Sequence, residues 1–274
     1  LTRGAQRRCL WTAVSRGSWT RGTDRIVMAE VVELGVADST RFVELLGLPV
    51  HLRPLEPIHR SARVAIWRAR DQRAGTDVVI KVLDRGHAQR FESETRAMAR
   101  LGGHRHVLAM TTVGRSIGGD PWMVMPEMSG TLEERSAGAS VVEALRWGSH
   151  VAEALAHLHS LGVVHGDVTP TNVLIDGTGV ALLADFGSAV IEAEPSRDAP
   201  SGHTPRYASP ERRRGRHATR ESDVHGLGAT MLAVLPDRLE GVLPRTRRLL
   251  EQCTRTDPAR RPEADVVARR LTRR

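Results

Sequence analysis

The chain has 274 residues, of which 40% are hydrophobic and 26% charged, and its formal net charge is +8. This composition is typical of a globular protein with a sizeable core, and it excludes collagen-like and fully disordered chains. The apolar runs fall well short of the roughly 18 residues that a membrane-spanning helix requires. Two cysteines, Cys9 and Cys253, are too few for a disulfide framework. We therefore expect a cytoplasmic protein without a membrane segment.

The positive charge is concentrated at the amino-terminal end. Residues 1–27 contain six arginines and one aspartate, which leaves +3 for the rest of the chain. Such a stretch suits a basic arm that contacts phosphates, a twin-arginine export signal, or sequence upstream of a true start at Met28. We favour the last interpretation, treat residues 1–49 as an N-terminal extension and expect no nucleic-acid partner.

Three short segments that follow predict β-strands: residues 50–58, residues 63–70 and the β-branched run Asp77–Lys81. Lys81 is the only lysine and Asn172 the only asparagine, in a chain whose 40 basic residues are otherwise all arginine. Lysine is a compact point charge and arginine a planar fork, so the two are not interchangeable at a tight phosphate site. Lys81 is therefore a candidate for chemistry that arginine cannot perform, the alternative being a chance survivor on the surface.

The next segment predicts a helix that carries a carboxylate on its apolar side. Phe91, Glu94, Met98 and Leu101 are spaced by three, four and three residues, which is one face of an α-helix. An unpaired carboxylate on that face would be costly. Glu94 therefore needs a cation, which Lys81 of the preceding strand offers, unless Glu94 lies at the edge of the stripe and faces water.

The second half of the chain is predicted to be mainly helical. Residues 121–128 predict a buried strand with a Pro-Glu connector, and apolar residues from Val141 to Leu158 mark a long amphipathic helix. A strand-rich half followed by a helix-rich half predicts an α+β fold with two lobes. We expect a small β-rich lobe at residues 50–128 and a larger helical lobe at residues 129–274.

The densest group of polar residues surrounds a predicted β-hairpin. Val173–Ile175 and residues 180–184 flank a glycine-containing turn, so the two open ends of the hairpin should meet. Asn172 enters the hairpin, Asp185 leaves it, and Asp167 lies just upstream. Two carboxylates and an amide oxygen suit a hard divalent cation such as Mg²⁺, whereas each of the three alone would be an ordinary turn residue.

Several short motifs occur in order along the chain: Val79–Lys81, Glu94, HGDVTPTN at 165–172, Asp185–Gly187, TPRYASPE at 204–211, Ser222–Val224, Asp257–Pro258 and Arg261–Pro262. In their order and spacing, over about residues 50–271, the sequence resembles the eukaryotic-type protein kinases in their bacterial serine/threonine form. The ordered set of motifs is far more specific than any one of them.

The resemblance implies a protein kinase that uses ATP with Mg²⁺ or Mn²⁺ and transfers the γ-phosphate to serine or threonine hydroxyls of a protein substrate. It implies that Lys81, held by Glu94, binds the α- and β-phosphates, and that Asn172 and Asp185 hold the metal. Asp167 would accept or orient the proton of the attacking hydroxyl. The residues expected around the adenine, by the same resemblance, are Ile58, Ile66, Met125, Glu127, Met128 and Leu174.

The sequence departs from the family pattern at several positions. The family usually has three glycines in the loop between the first two strands, and this sequence has His59, Ser61 and Val64 there. The loop therefore lacks the residues that let a backbone approach phosphates closely. Gly166 replaces the arginine that commonly precedes the catalytic aspartate, which predicts that no loop phosphate is needed. Thr169 stands where a lysine near the γ-phosphate is usual, and it is kept as a candidate catalytic residue.

The end of the helical lobe is predicted to be shortened. Pro236 and Pro244 interrupt the segment that follows a helix beginning at Val224, so the next helix is expected to be reduced. The resemblance also implies that Glu211 pairs with Arg261 as a brace beneath the activation segment.

Other polar residues are interpreted as structural. Arg212–Arg214 would attract an acidic substrate or form a solvated charged turn, and we favour the turn. His157 and His159 are interpreted as packing or surface residues of the long helix, and Cys253 as a small core residue.

Two other functions stay open. The glycine-free loop motivates a pseudokinase that binds nucleotide or a partner without catalysis. The HGD and asparagine pattern in residues 165–172 is also similar to that of small-molecule phosphotransferases such as those acting on aminoglycosides. Residues 188–211, with Asp257–Pro258 and Arg261–Pro262, resemble protein kinases and favour a protein substrate.

Overall fold

The computed structural model describes residues 39–194, 202–235 and 244–272, and the chain divides into two compact units. In its described part the first unit comprises residues 39–92 and 109–127, and the second comprises residues 93–108 and those from 128 onwards. The predicted succession of a β-rich part and a helical part is confirmed. Residues 93–108, however, group with the helical unit. The basic stretch, Met28, Cys9 and Pro236 lie outside the described residues.

A five-stranded antiparallel sheet forms most of the first unit. Its strands are β1 (Leu52–Arg60), β2 (Val64–Asp71), β3 (Thr76–Leu83), β4 (Thr112–Arg115) and β5 (Pro121–Pro126). They lie side by side in the order β1–β2–β3–β5–β4, and Lys81 of β3 lies opposite Ile66 of β2 and Met123 of β5. The predicted strands are confirmed, with ends that differ by at most two residues.

Helix α1 (Ser39–Leu46) packs into the core of the first unit. Phe42 lies against Trp67 with the ring centroids 4.4 Å apart, and Leu46 is fully buried. The indole Nε1 of Trp122 donates to the carbonyl of Leu46 at 2.7 Å. Each large apolar side chain buried here contributes on the order of 2 kcal/mol. The described end of the predicted extension therefore contributes Phe42, Leu45, Leu46 and Leu48 to the core of the first unit.

Helix α2 (Ala88–Leu101) confirms the predicted helical face. Phe91, Glu94 and Leu101 are all buried, and Met98 packs partly against the core of the second unit. Glu94 is only 5% exposed, so the alternative in which it faces water is wrong.

Six further helices form most of the second unit. The predicted long helix is confirmed as a 20-residue helix that begins with a capping box, in which Ser140 accepts from the backbone N–H of Glu143 and the Glu143 carboxylate bonds back to Ser140. The six are α3 (Leu132–Ser136), α4 (Val141–Ser160), α5 (Pro210–Arg213), α6 (Arg220–Val234), α7 (Pro244–Cys253) and α8 (Ala264–Thr272). Among the described residues, no helix is long and apolar enough to cross a membrane.

Short strands frame the loops of the second unit. Strands β6 (Gly130–Thr131), β8 (Val173–Ile175) and β9 (Ala181–Leu183) form one small sheet, and β7 (Val163–Val164) pairs with β10 (Val190–Ile191). The predicted hairpin is therefore confirmed as β8 and β9. Because β7 and β8 are buried, the loop between them, residues 165–172, is fixed at both ends.

Candidate active site

The loop between β7 and β8 is held in place from beneath by Asp223, near the start of α6. One carboxylate oxygen accepts from the backbone N–H of His165 at 2.8 Å and from His159 Nε2 at 2.9 Å, and the other accepts from the N–H of Gly166 at 2.8 Å. Asp223 is 2% exposed, so all of these bonds are shielded from water. The interpretation of His159 as a structural residue is confirmed.

Gly166 is required by the local backbone. Its φ is +82°, and a Cβ built at this position would lie 2.5 Å from the carbonyl oxygen of Ser188. Both a left-handed conformation and a close backbone approach favour glycine. The departure of the sequence from the family at this position therefore has a physical cause in this chain.

Asp167 is the centre of a hydrogen-bond network that sequence reasoning had identified only in part. Its Oδ1 accepts from the backbone N–H of Thr204 at 2.8 Å, and its Oδ2 accepts from the Thr204 hydroxyl at 3.3 Å. The Asn172 amide Nδ2 donates to the Asp167 carbonyl at 2.8 Å and reaches Oδ2 at 3.4 Å. The sequence motif that contains Thr204 assigns it no role, because Thr204 lies 37 residues from Asp167 along the chain.

The two ends of the β8–β9 hairpin meet as predicted. The N–H of Ala184 donates to the Asn172 carbonyl at 2.8 Å, and His165 Nε2 donates to the Ala184 carbonyl at 3.0 Å. Asp185 follows with φ of 60°, and among the described residues it is the one non-glycine with positive φ. A non-glycine residue in this conformation is strained and persists where the surrounding structure imposes it.

Thr169 lies inside the same loop. It is 1% exposed, and its hydroxyl bonds the Thr171 hydroxyl at 2.9 Å and accepts from the N–H of Asn172 at 3.3 Å. Its hydroxyl therefore stabilises the turn that presents Asn172.

In the first unit the structure places the candidate phosphate and adenine residues on four neighbouring strands. Lys81 on β3 is partly exposed, whereas Ile66 on β2 and Met125 on β5 are buried and Ile58 on β1 is half-buried. Met128, Leu174 and Glu94 belong to the second unit and are buried there. The pairing of Lys81 with Glu94 stays a prediction.

The connector after β5 is held by an arginine that the sequence analysis had not singled out. Arg68 Nε donates to Glu127 Oε1 at 2.9 Å, and its Nη1 donates to Glu56 Oε1 at 2.6 Å. The backbone N–H of Glu127 donates to the carbonyl of Asp77 at 3.3 Å. The Glu127 carboxylate therefore anchors the connector to the sheet.

The β1–β2 turn is closed by Ser61 and contains no glycine. The Ser61 hydroxyl donates to the Val64 carbonyl at 3.1 Å and accepts from the N–H of Val64 at 3.1 Å. The backbones of the same two residues are also bonded at 2.9 Å. The Ser61 hydroxyl and backbone thus close the turn on Val64.

The predicted brace between Glu211 and Arg261 is confirmed. Two guanidinium nitrogens bond the two carboxylate oxygens at 2.6 and 2.9 Å, and the Arg261 side chain is fully buried. Burial, the largest single effect, raises the pKa of Glu211. The hydrogen bonds from Arg261, from the backbone and from Ser209, together with the Arg261 charge, outweigh burial and lower that pKa to about 2. The pair joins α5 to the turn before α8.

Arg212 corrects one interpretation. Arg213 and Arg214 are exposed as a solvated turn would have them, but Arg212 is only 3% exposed. Its Nη1 donates to the Arg216 carbonyl at 3.0 Å, while Nε and Nη2 have no hydrogen-bond partner among the described residues. Burial lowers the pKa of Arg212, against the opposing effect of the Asp167 and Asp223 charges. The prediction was wrong for Arg212 because its side chain turns inward toward these carboxylates.

Two other structural interpretations agree with the structure. His157 Nε2 donates to the carbonyl of Leu101 at 2.8 Å, so it packs the end of α4 against α2. Cys253 is fully buried, and burial raises the pKa of its thiol to about 12.

Comparison with known proteins gives a consistent result. A family model described as "Protein kinase domain" matches residues 62–240. "Serine/threonine-protein kinase PknK" of Mycobacterium tuberculosis is 36% identical over 191 residues, which are 66% of this chain and 17% of that protein. "DNA damage-responsive serine/threonine-protein kinase RqkA" of Deinococcus radiodurans is 33% identical over 182 residues, 62% of this chain and 27% of that protein. "Serine/threonine-protein kinase PknA" of M. tuberculosis is 32% identical over 179 residues, 60% of this chain and 41% of that protein. The matched part of the chain thus spans 17 to 41% of the length of these relatives.

Proposed function

This chain belongs to the protein kinase domain family, and from that premise we propose that it is an active kinase that transfers the γ-phosphate of ATP to serine or threonine hydroxyls of proteins. The observation that carries the proposal is the bonded group formed by Asp167, Asn172 and Thr204. Since phosphoryl transfer needs little covalent chemistry from the protein, positioned charges and hydrogen bonds supply most of the catalysis.

Asp167 is the proposed catalytic base. Asn172 and Thr204 hold its carboxylate from two directions, so its orientation is fixed before a substrate arrives. In the proposed reaction it accepts or orients the proton of the attacking hydroxyl while the oxygen of that hydroxyl bonds the γ-phosphorus.

Asn172 and Asp185 are the proposed ligands of the Mg²⁺ or Mn²⁺ that accompanies ATP. The donor set fits a hard cation: because Nδ2 of Asn172 is engaged by Asp167, the amide presents its oxygen as the remaining ligand atom, and Asp185 adds a carboxylate. When bound, the metal neutralises phosphate charge. Asn172 is oriented by Asp167 and by the Thr169 hydroxyl, and we propose that Thr169 acts through this turn.

The residues proposed to hold the nucleotide are those that match the family pattern. Lys81, with Glu94 as its counter-charge, is the proposed ligand of the α- and β-phosphates. Ile58, Ile66, Met125, Met128 and Leu174 are the proposed apolar neighbours of the adenine. We propose that Glu127 contributes through its main chain, since Arg68 binds its carboxylate.

A nucleotide-binding module without catalysis is the second candidate. The observation that favours it is the closed β1–β2 turn, in which Ser61 uses its own hydroxyl to satisfy the backbone and no glycine is present. Without positive-φ residues, this turn offers phosphates fewer backbone N–H groups.

Transfer of γ-phosphate from ATP to a threonine peptide, measured by mass spectrometry with Mg²⁺ and with Mn²⁺, tests the proposal. Asp167→Asn should abolish transfer, and Asp265→Asn, which changes a half-buried aspartate paired with Arg269 on α8, should not change it. Transfer that persists in Asp167→Asn would contradict the proposed base. If neither protein transfers phosphate and ATP still raises the thermal midpoint, the second candidate replaces the first.

A further inference from the structure

Residues 202–217 contain both Thr204, which bonds the proposed base, and a group of exposed arginines. Thr204 contacts Asp167 through both its backbone N–H and its hydroxyl. The N–H groups of Tyr207 and Ala208 donate back to the Thr204 carbonyl at 3.0 and 3.1 Å, so the segment turns tightly at this point. Arg206 lies within the turn, and α5 begins only six residues after Thr204.

We call the exposed arginines of this segment the basic collar; they are Arg206, Arg213, Arg214 and Arg216. The collar is compact, because the N–H of Arg216 donates to the Glu211 carbonyl at 3.1 Å and the Arg216 carbonyl accepts from Arg212 at 3.0 Å. These bonds fold the end of α5 back on itself and keep its arginines together.

The charge of the collar is not neutralised within the described residues. None of its four arginines forms an ion pair with a carboxylate there, and Arg206 lies over the Tyr207 ring at 5.6 Å instead. Within residues 202–217 the one carboxylate is Glu211, and both of its oxygens are bound by Arg261. Buried Arg212 adds a further positive charge, and in the part of the chain that the structure describes its Nε and Nη2 lack a hydrogen-bond partner.

The concentration of charge is local. Residues 28–274 as a whole carry a small excess of positive charge, yet this segment of sixteen residues contains five arginines and one carboxylate. A cluster of unpaired like charges raises the energy of the free protein, and a ligand of opposite charge relieves it. The segment that carries these arginines also bonds Asp167 through Thr204. A ligand that neutralises the arginines would therefore be one that also brings a hydroxyl to the proposed base.

We propose that the basic collar binds acidic side chains that flank the acceptor serine or threonine, so that the protein selects acidic substrates. This inference rests on the proposed function, since it places the acceptor hydroxyl at Asp167. Aspartate or glutamate near the acceptor would pair with guanidinium groups in the fork geometry that arginine offers to carboxylates. The preference should appear in KM, because these charges contact the substrate away from the reacting atoms.

Three peptides test the inference on the full chain: a threonine peptide with aspartates on both sides of the acceptor, the same peptide with asparagines, and the same with lysines. The wild-type protein should use the aspartate peptide about tenfold more efficiently than the asparagine peptide, and the lysine peptide least. Salt should remove most of this preference, because exposed charges are screened beyond about 3 Å near 1 M ionic strength.

The test variant is Arg213→Gln with Arg214→Gln, two exposed residues outside the proposed catalytic group. It should lose most of the preference through a higher KM for the aspartate peptide, with kcat and the use of the asparagine peptide unchanged. The matched control, Arg248→Gln with Arg270→Gln, removes two exposed arginines of α7 and α8 and should keep the preference. No preference in the wild type, or an equal loss in the control, would overturn the inference.

Binding of an aspartate peptide with valine in place of threonine, followed by fluorescence anisotropy, separates this inference from the proposed function. If no peptide is phosphorylated but the collar variant binds the valine peptide about tenfold more weakly than wild type, the proposed function fails and the collar stands. Equal binding of the valine peptide by both proteins would overturn the inference that the basic collar binds acidic side chains. Tighter binding of a single-stranded oligonucleotide than of the peptide would also overturn the inference, in favour of a nucleic-acid surface.

Discussion

Replacing Glu211 with glutamine would remove one charge from the ion pair with Arg261 and keep the shape of the side chain. The pair is buried, with side-chain exposures of 12% for Glu211 and 0% for Arg261. The guanidinium also donates to the carbonyls of Arg255, Glu221 and Thr256, so all its N–H groups have oxygen partners and it cannot turn to water. The substitution therefore isolates the electrostatic contribution of one carboxylate.

The magnitude follows from the pKa of Glu211, which is lowered from an ordinary 4.5 to about 2 in the folded protein. At about 1.36 kcal/mol per pKa unit, ionised Glu211 stabilises the fold by about 3 kcal/mol at neutral pH. Because the folded-state pKa is the lower one, this stability is fully present above pH 4.5 and is lost as the pH falls toward 2. At pH 3 about 1.4 kcal/mol of it remains.

Urea unfolding of the wild type and Glu211→Gln at pH 6 and at pH 3 measures this effect. The difference in the free energy of unfolding between the two proteins should shrink by about 2 kcal/mol between these pH values. Glu251→Gln, which removes an exposed pair with Arg247, should cost less than about 0.5 kcal/mol at either pH. A difference between wild type and Glu211→Gln that stays constant from pH 6 to pH 3 would refute the argument.

Three further outcomes are expected. Gly166→Ala should cost more than about 2 kcal/mol in thermal or urea unfolding, since it combines positive φ with a backbone clash, whereas Gly215→Ala, with positive φ and open space, should cost about 1 kcal/mol; equal costs would contradict the clash. Arg68→Ala should weaken ATP binding several-fold by calorimetry because it releases the connector, while Arg70→Ala, which loses an exposed pair, should leave the ATP Kd unchanged. Iodoacetamide at pH 8 should leave Cys253 unmodified in peptide mass mapping of the folded protein, because burial raises its thiol pKa to about 12; rapid modification would show that the site opens.

Much of the fold was determined by local patterns in the sequence. The spacing of Phe91, Glu94 and Leu101 predicted a helix and the burial of Glu94, because a 3.6-residue period places side chains on one face wherever the helix packs. The β8–β9 hairpin was equally local, since a short turn between two apolar runs brings their ends together. The candidate metal ligands at these ends followed from that geometry.

Only the tertiary structure showed which distant segments meet at the candidate site. Thr204 bonds Asp167 across 37 residues, and Asp223 holds the loop at Gly166 across 57. No periodicity connects such positions, because their proximity depends on how several helices and strands pack.

The same reason explains the residues whose environment was wrongly or incompletely predicted. Arg212, Arg213 and Arg214 are identical in chemistry and adjacent in sequence, yet one is buried and two are exposed. The sequence pattern assigns α1 to the N-terminal extension, whereas the helix packs into the core. Its packing partner Trp67 is separated from it in sequence by a strand and a turn, so no local pattern connects the two. The sequence determined the elements and the candidate catalytic groups. The tertiary structure decided their partners, since burial and charge compensation are properties of contacts between segments that lie far apart in the chain.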